Sequence, residues 1–237
     1  MEKGYVIVIE GTDGSGKQTQ AQLLKDRLNA ITNNNVFECS FPNYDSPSSA
    51  PVKMYLGGEL GKHGVDVNAY QASVIYATDR LCTYLKTIKE HYEQGKIIVL
   101  DRYTTSNALH QASTLDDLSD KDKFLDWLFD LEYRILGLPE PDKVIFLNVP
   151  PAVSQKLREE RTKTQGYKTG NSKDILEDDK DHIQKAYTSG MYVAKKCGWE
   201  LVPCVNKDNN LKPRDEISNA VFDTLCKDEK FMNIIKG

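Results

Sequence analysis

Residues 5–19 read Tyr5-Val-Ile-Val-Ile9-Glu10-Gly11-Thr12-Asp13-Gly14-Ser15-Gly16-Lys17-Gln18-Thr19. A β-branched apolar run ends in a glycine-rich turn, and a helical pattern follows through Leu23, Leu24 and Leu28. Glycines at 11, 14 and 16 let backbone N–H groups, with those of Asp13 and Ser15 between them, turn inward around phosphate oxygens. The helix that opens at Lys17 adds its dipole, and the lysine reaches the β- and γ-phosphates. Strand, loop and helix together predict a nucleotide-phosphate cradle. One position departs from the pattern: the residue after Lys17 is Gln18, where Ser or Thr ordinarily ligates Mg²⁺, and Thr19 comes one place later. The Gln18 amide oxygen is therefore a candidate metal contact beside other carboxylates.

Outward from this stretch, short apolar runs alternate with longer helical patterns. Val36-Phe37, Ile97–Leu100, Val144–Leu147 and Trp199–Val202 join Tyr5–Ile9 as expected strands. Their continuous apolar character suits parallel strands covered on both faces. Helices are expected near 17–30, 67–94, 119–137, 150–161, 178–197 and 213–227. In the third, Phe124, Leu128, Leu131 and Ile135 recur at three- and four-residue spacing and are expected on one buried face. The alternation predicts right-handed βαβ units: an α/β, three-layer, doubly wound, parallel five-stranded sheet with a P-loop NTPase core. No repeat or Gly/Ser-rich linker interrupts it, so residues 1–237 are expected to form one domain.

Composition bounds the rest. The chain has 237 residues, 39% hydrophobic, and 31 basic against 35 acidic side chains, a net charge of −4. That content supports a buried core, and no global positive field draws the chain to nucleic acid or a membrane surface. The N-terminal apolar run is too short for a signal segment or a span, which predicts a cytoplasmic protein. Cys39, Cys82, Cys197, Cys204 and Cys226 contain no CxxC pair, and four scattered histidines lack metal-ligand spacing. Reduced thiols and no zinc are expected.

A second chemical signature closes the third strand: Leu100-Asp101-Arg102-Tyr103. A carboxylate at that strand end can approach Mg²⁺ or its waters, and Arg102 offers a bidentate fork to a phosphoryl group.

The phosphate loop, Phe41-Pro42-Asn43-Tyr44, Tyr76-Ala-Thr-Asp79-Arg80, Asp101-Arg102-Tyr103, Ser106-Asn107 and Leu138-Pro-Glu-Pro-Asp142 stand in an order that resembles the thymidylate kinase family from residue 5 to about 205. The resemblance implies transfer of the γ-phosphoryl of Mg·ATP to dTMP by a homodimer packed through helices. Asp13 then bonds the deoxyribose 3′-OH, Tyr76 stacks on thymine, Arg80 donates to O4 and Asn107 meets N3 and O4. Phe41, Pro42 and Tyr44 line the acceptor phosphate. Asn43 stands where many relatives have arginine, so Arg102 bears more of that phosphate. Ser106 is a helix cap or a substrate contact, Gln111 lies further round the same turn, and His110 either packs or crowds the sugar 2′ position. Adenine contacts are expected from the loop near 205–208.

Residues 156–173 carry six basic and two acidic side chains, and residues 174–181 five acids and one lysine. With Gly, Thr and Asn between them, they are expected to form a mobile lid at about 160–177. Arg158 and Arg161, three apart on a helix, share a face and can stabilise the transferring phosphate. In the resembling family, chains with glycine where this one has Gly14 supply such lid arginines; Lys163 and Glu177 are secondary candidates. The expected catalytic set is Lys17, Asp101, Arg102, Arg158 and Arg161. Three rivals remain: a kinase for dUMP, UMP or dCMP, a GTP-binding switch suggested by Asn206-Lys207-Asp208-Asn209, and a nucleotide binder without turnover, motivated by Gln18.

Overall fold

In the computed structural model, β1 (Tyr5–Glu10) is buried along its whole length at the centre of a five-stranded parallel sheet. The structure describes residues 3–33, 35–61, 66–165 and 180–236, side chains excepted at 161–165 and 180–182. From β1 the chain runs through α1 (Lys17–Ile31) to the edge strand β2 (Val36–Ser40). It then passes through α2 (Ala50–Leu56), α3 (Ala69–Thr83) and α4 (Lys89–Glu93) to β3 (Ile97–Asp101). Two helices, α5 (Thr104–His110) and α6 (Leu118–Phe129), lead to β4 (Lys143–Asn148). The crossover to β5 (Glu200–Pro203) contains α7 (Pro151–Gln165) and α8 (Lys180–Lys196), and α9 (Arg214–Leu225) and α10 (Glu229–Lys236) follow.

The strand order is β2-β3-β1-β4-β5, every pairing parallel. Winding therefore proceeds to one side of β1 and then to the other, which opens a crevice at the carboxyl ends of the central strands. Alternation along β1 serves both faces. Tyr5, Ile7 and Ile9 pack with Leu24 and Leu28 of α1 and with Ile217, Val221 and Leu225 of α9. Val6 and Val8 pack on the other face with Ile88, Tyr103 and Leu138. All five expected strands and all six expected helical regions are present. The sequence patterns did not single out α2, α5 or α10; in α10, Phe231 is fully buried and lies against the Tyr5 ring at 5.6 Å.

One expected face is corrected. Phe124 and Leu128 are fully buried, but Ile135 is 59% exposed. The cause is a π-helical turn over Asp130–Ile135. The wider turn rotates the later side chains away from the 3.6-residue register. It carries Glu132 into the interior, with no exposed surface, in place of the apolar residue the periodicity calls for. Of the expected lid, residues 166–179 with Glu177 lie outside the described residues, as do the side chains of Arg161 and Lys163.

Candidate active site

The phosphate loop leaves the end of β1 as the spacing predicts. Gly16 caps α1 with φ 87°, a left-handed conformation that glycine adopts without strain. Lys17 folds back into the loop, its ammonium donating to the carbonyls of Gly11 at 2.8 Å and Thr12 at 2.9 Å. Burial and the neighbouring Arg102 charge bring its pKa down to about 8. Buried hydroxyls of Thr12 and Ser15 have no partner. Gln18 and Thr19 are exposed on the first turn of α1.

Arg102 stands beside this loop in the left-handed region, φ 68°, which a residue with a side chain adopts only when the surroundings hold it there. Its backbone N–H donates to Ile9 O at 3.2 Å. The guanidinium pairs with Asp13 through Nη2, and Nη1 lies 3.3 Å from His110 Nε2. Partial burial raises the Asp13 carboxyl, but Arg102, His110 and Lys17 outweigh it and hold the group well below its ordinary range. Burial opposes the Arg102 charge too, and Asp13, Glu10 and Asp101 together keep the guanidinium firmly protonated. Asp101 accepts from Ser40 Oγ at 3.1 Å through Oδ2, while its buried Oδ1 has no partner.

Sequence reasoning passed over Glu10. Its side chain is fully buried, Oε1 accepts from Ser106 Oγ at 2.6 Å, and Oε2 is unpartnered. Ser106 is thus bonded to β1, and the cap position of α5 belongs to Tyr103. An acid closing an otherwise apolar strand was the available signal.

The residues expected to read a base converge on one side of α5. Arg80 is 2% exposed; its Nε and Nη2 donate to the two oxygens of Glu132 at 2.7 and 2.5 Å. Nη2 also donates to Asn107 Oδ1 at 2.5 Å, and Nη1 reaches Tyr103 O at 3.5 Å. Asn107 Nδ2 donates to Gln111 Oε1 at 2.9 Å. Thr104 Oγ1 adds a bond to Glu132 at 2.7 Å. Glu132 had no signal in the sequence, because the π turn that points it inward breaks the periodicity by which it would be read. Tyr76 lies one helical turn before Arg80, on the same face of α3, its ring edge-on to Tyr55 at 6.1 Å.

Phe41 is buried against Tyr103, with Pro42 half-buried beside it, and Tyr44 is 48% exposed. Asp79, quoted above without a role, organises this loop: it accepts from Asn43 N at 2.8 Å and Ser48 Oγ at 2.6 Å. The Leu138–Asp142 stretch is structural, with Pro139 O accepting from Tyr103 OH at 3.1 Å and Asp142 from Val6 N at 2.8 Å.

Arg158, on α7, is brought against the phosphate loop. A Cβ at Gly14, where φ is 81°, would fall 2.6 Å from Arg158 Cγ. The loop after β5 is closed by its own side chain: Asn206 Oδ1 accepts from Asp208 N at 3.0 Å and Asn210 N at 2.9 Å. That turn accounts for the Asn206–Asn209 stretch without a guanine contact.

Residues 9–195 match the family model described as thymidylate kinase. The thymidylate kinase of Mycobacterium tuberculosis is 31% identical over 197 residues, which is 82% of this chain and 87% of that protein. That of Schizosaccharomyces pombe is 35% identical over 153 residues, 64% of each chain. Among solved structures, the thymidylate kinase of Ehrlichia chaffeensis superimposes with a TM-score of 0.62 at 20% identity, covering 94% of this chain and 99% of the other.

Proposed function

The chain belongs to the thymidylate kinase family, and we infer that it transfers the γ-phosphoryl group of ATP to dTMP, giving dTDP and ADP. The observation that carries this reading is the Arg80–Asn107–Gln111 network opening beside a phosphate loop that Arg102 overlooks. A guanidinium has five N–H donors. Glu132, Asn107 and Tyr103 engage four of them in Arg80, which leaves one Nη1 hydrogen for a base carbonyl such as O4. Asn107 Oδ1 has a second lone pair for N3–H. Thymine and uracil present that acceptor–donor edge and cytosine does not.

The residues at the transfer point supply position and charge. Lys17 and Arg102 hold the phosphoryl group between donor and acceptor, Arg158 approaches from α7, and Asp13 meets the sugar. An acceptor phosphate is already anionic, so no strong general base is needed. Asp101, with an unpartnered buried oxygen, and the Gln18 amide form a hard-oxygen set suited to Mg²⁺. Among the described residues no group of three or more His, Cys, Asp or Glu can hold a metal. In this reading Mg²⁺ would be carried mainly by nucleotide phosphates and water. When bound, Mg²⁺ neutralises charge developing on the phosphates.

The same reading takes residues 1–237 as one kinase domain. It pairs two copies through the exposed Val74–Cys82–Leu85 stripe of α3 and the turn after it. No helix among the described residues is long and apolar enough to cross a membrane, and five free cysteines suit the reducing cytoplasm. ADP release measured with dTMP, dUMP, UMP and dCMP at saturating Mg·ATP tests the assignment. Turnover highest with dTMP is expected; turnover highest with UMP, or none with any acceptor, overturns it.

A further inference from the structure

Among the described groups around the transfer point, Glu10 is the one carboxylate for which phosphoryl transfer has no evident use. Asp13 is paired with Arg102, and Asp101 bonds Ser40 and is the carboxylate suited to Mg²⁺ in the reading above. Glu10 is fully buried, forms no ion pair among the described residues, and leaves Oε2 without a hydrogen-bond partner. An unpartnered buried carboxylate oxygen is costly, and a group kept at such a cost in an active site calls for a functional account. Burial pushes the Glu10 pKa up to about 7, with Arg102 and Lys17 pulling against it. Glu10 sits on the central strand, and its other oxygen is fixed by Ser106 of α5, the helix that carries Asn107 and is capped by Gln111. It therefore cannot swing away when a ligand arrives, unlike Asp13 on the loop.

We propose that Glu10 is a positioning residue with two separable duties: Oε1 holds the base-reading helix α5 to the phosphate loop through Ser106, and the unpartnered Oε2 is a fixed counter-charge against Lys17 and Arg102 that limits how tightly the site retains phosphate. Two cations beside a loop of inward-turned N–H groups favour every phosphate, the product included. A negative charge that does not move weakens reactant and product alike and leaves the transferring group free to exchange partners. This proposal rests on the kinase reading above and adds to it a residue that sets affinity against turnover.

The two duties predict changes of opposite sign. Glu10→Gln keeps an acceptor for Ser106 and removes the charge. By calorimetry near pH 8, where Glu10 is mostly ionised, it is expected to bind dTMP about tenfold more tightly, the order that one charge contributes at a protein-like effective dielectric. Its affinity for thymidine, which lacks the phosphate, stays unchanged. In turnover, kcat and the KM for dTMP fall together, the pattern of a lost ground-state penalty. Ser106→Ala loosens thymidine and dTMP by the same factor. Glu10→Asp, which keeps the charge and withdraws it from Ser106, behaves as Ser106→Ala does. A Glu10→Gln variant that binds dTMP more weakly, or as the wild type does, overturns the counter-charge. Unequal losses for thymidine and dTMP in Ser106→Ala overturn the anchoring role. Wild-type protein that binds no dTMP overturns the kinase reading itself, an outcome distinct from both.

Discussion

Gly14 and Arg158 occupy one space: a Cβ on the loop glycine would lie 2.6 Å from the arginine Cγ and 2.6 Å from Ser154 O. The absent side chain is what lets α7 rest its arginine on the phosphate loop. A basic residue at position 14 and an arginine at 158 are physical alternatives here, because either fills the volume the other needs. Gly14→Ala is therefore expected to displace Arg158, and it also crowds the Ser154 carbonyl and strains the φ 81° backbone, so its loss is at least that of Arg158→Ala. Losing one transition-state donor lowers kcat by about 10²–10³-fold, and Arg158→Ala should fall in that range. The Gly14→Ala/Arg158→Ala double variant should then be little worse than Gly14→Ala alone. Losses in kcat that multiply across the cycle would show that the two positions act independently.

Arg102 combines a strained backbone with a guanidinium bonded to Asp13 and set beside His110. Arg102→Ala should lower kcat by roughly 10³-fold or more, the scale of an arginine acting on a transferring phosphoryl group. Arg102→Lys should recover little, since an ammonium cannot reproduce the planar fork. Single-turnover rates at saturating dTMP and ATP separate this loss from weaker binding, and a lysine variant with near-normal rates would argue against a bidentate role.

The Arg80–Glu132 pair has 2% and 0% side-chain exposure, so removing one partner strands a buried charge. Such losses cost about 3–5 kcal/mol. In a chain of this size that corresponds to a fall in Tm of roughly 10 °C. Glu132→Gln should show much of it. The same variant should raise the KM for dTMP more than it changes kcat, because Arg80 loses its fixed orientation toward the base. Arg80→Ala should share both effects. A Glu132→Gln protein with normal KM would separate the buried pair from base recognition.

Much of the fold was legible because its signals are local. An apolar run that ends in Gly11 and Lys17, and four further β-branched runs, locate the strands without tertiary knowledge. Helices whose formation depends on packing were not legible. The sequence Thr104-Thr-Ser-Asn107 has no apolar period or capping side chain, and α5 exists because Ala108 and Leu109 are buried against neighbouring helices. The phosphate half of the candidate site could be read from spacing alone, since glycines, Lys17 and Arg102 follow their strands directly. Its base-reading half depended on resemblance, because residues 80, 107 and 132 meet only through the crossovers. Glu132 was hidden twice: the π turn displaces it by part of a turn, and it takes the place where the pattern calls for an apolar side chain.

Glu10 links stability to pH in a direction opposite to that of most paired carboxylates. Its folded pKa is raised from 4.5 to about 7, so between those values the folded state binds more protons than the unfolded state. Stability contributed by the neutral acid is full below about pH 4.5 and is lost as pH rises through about 7. The loss amounts to about 3 kcal/mol. Glu10→Gln cannot ionise and keeps an acceptor for Ser106, so it escapes that loss. In thermal melts without nucleotide, its Tm should match the wild type near pH 5 and exceed it by about 6–10 °C near pH 8. A difference that is constant with pH would mean that Glu10 ionises in the folded protein as easily as in the unfolded chain. The unpartnered oxygen would then have another cation or ordered water beside it.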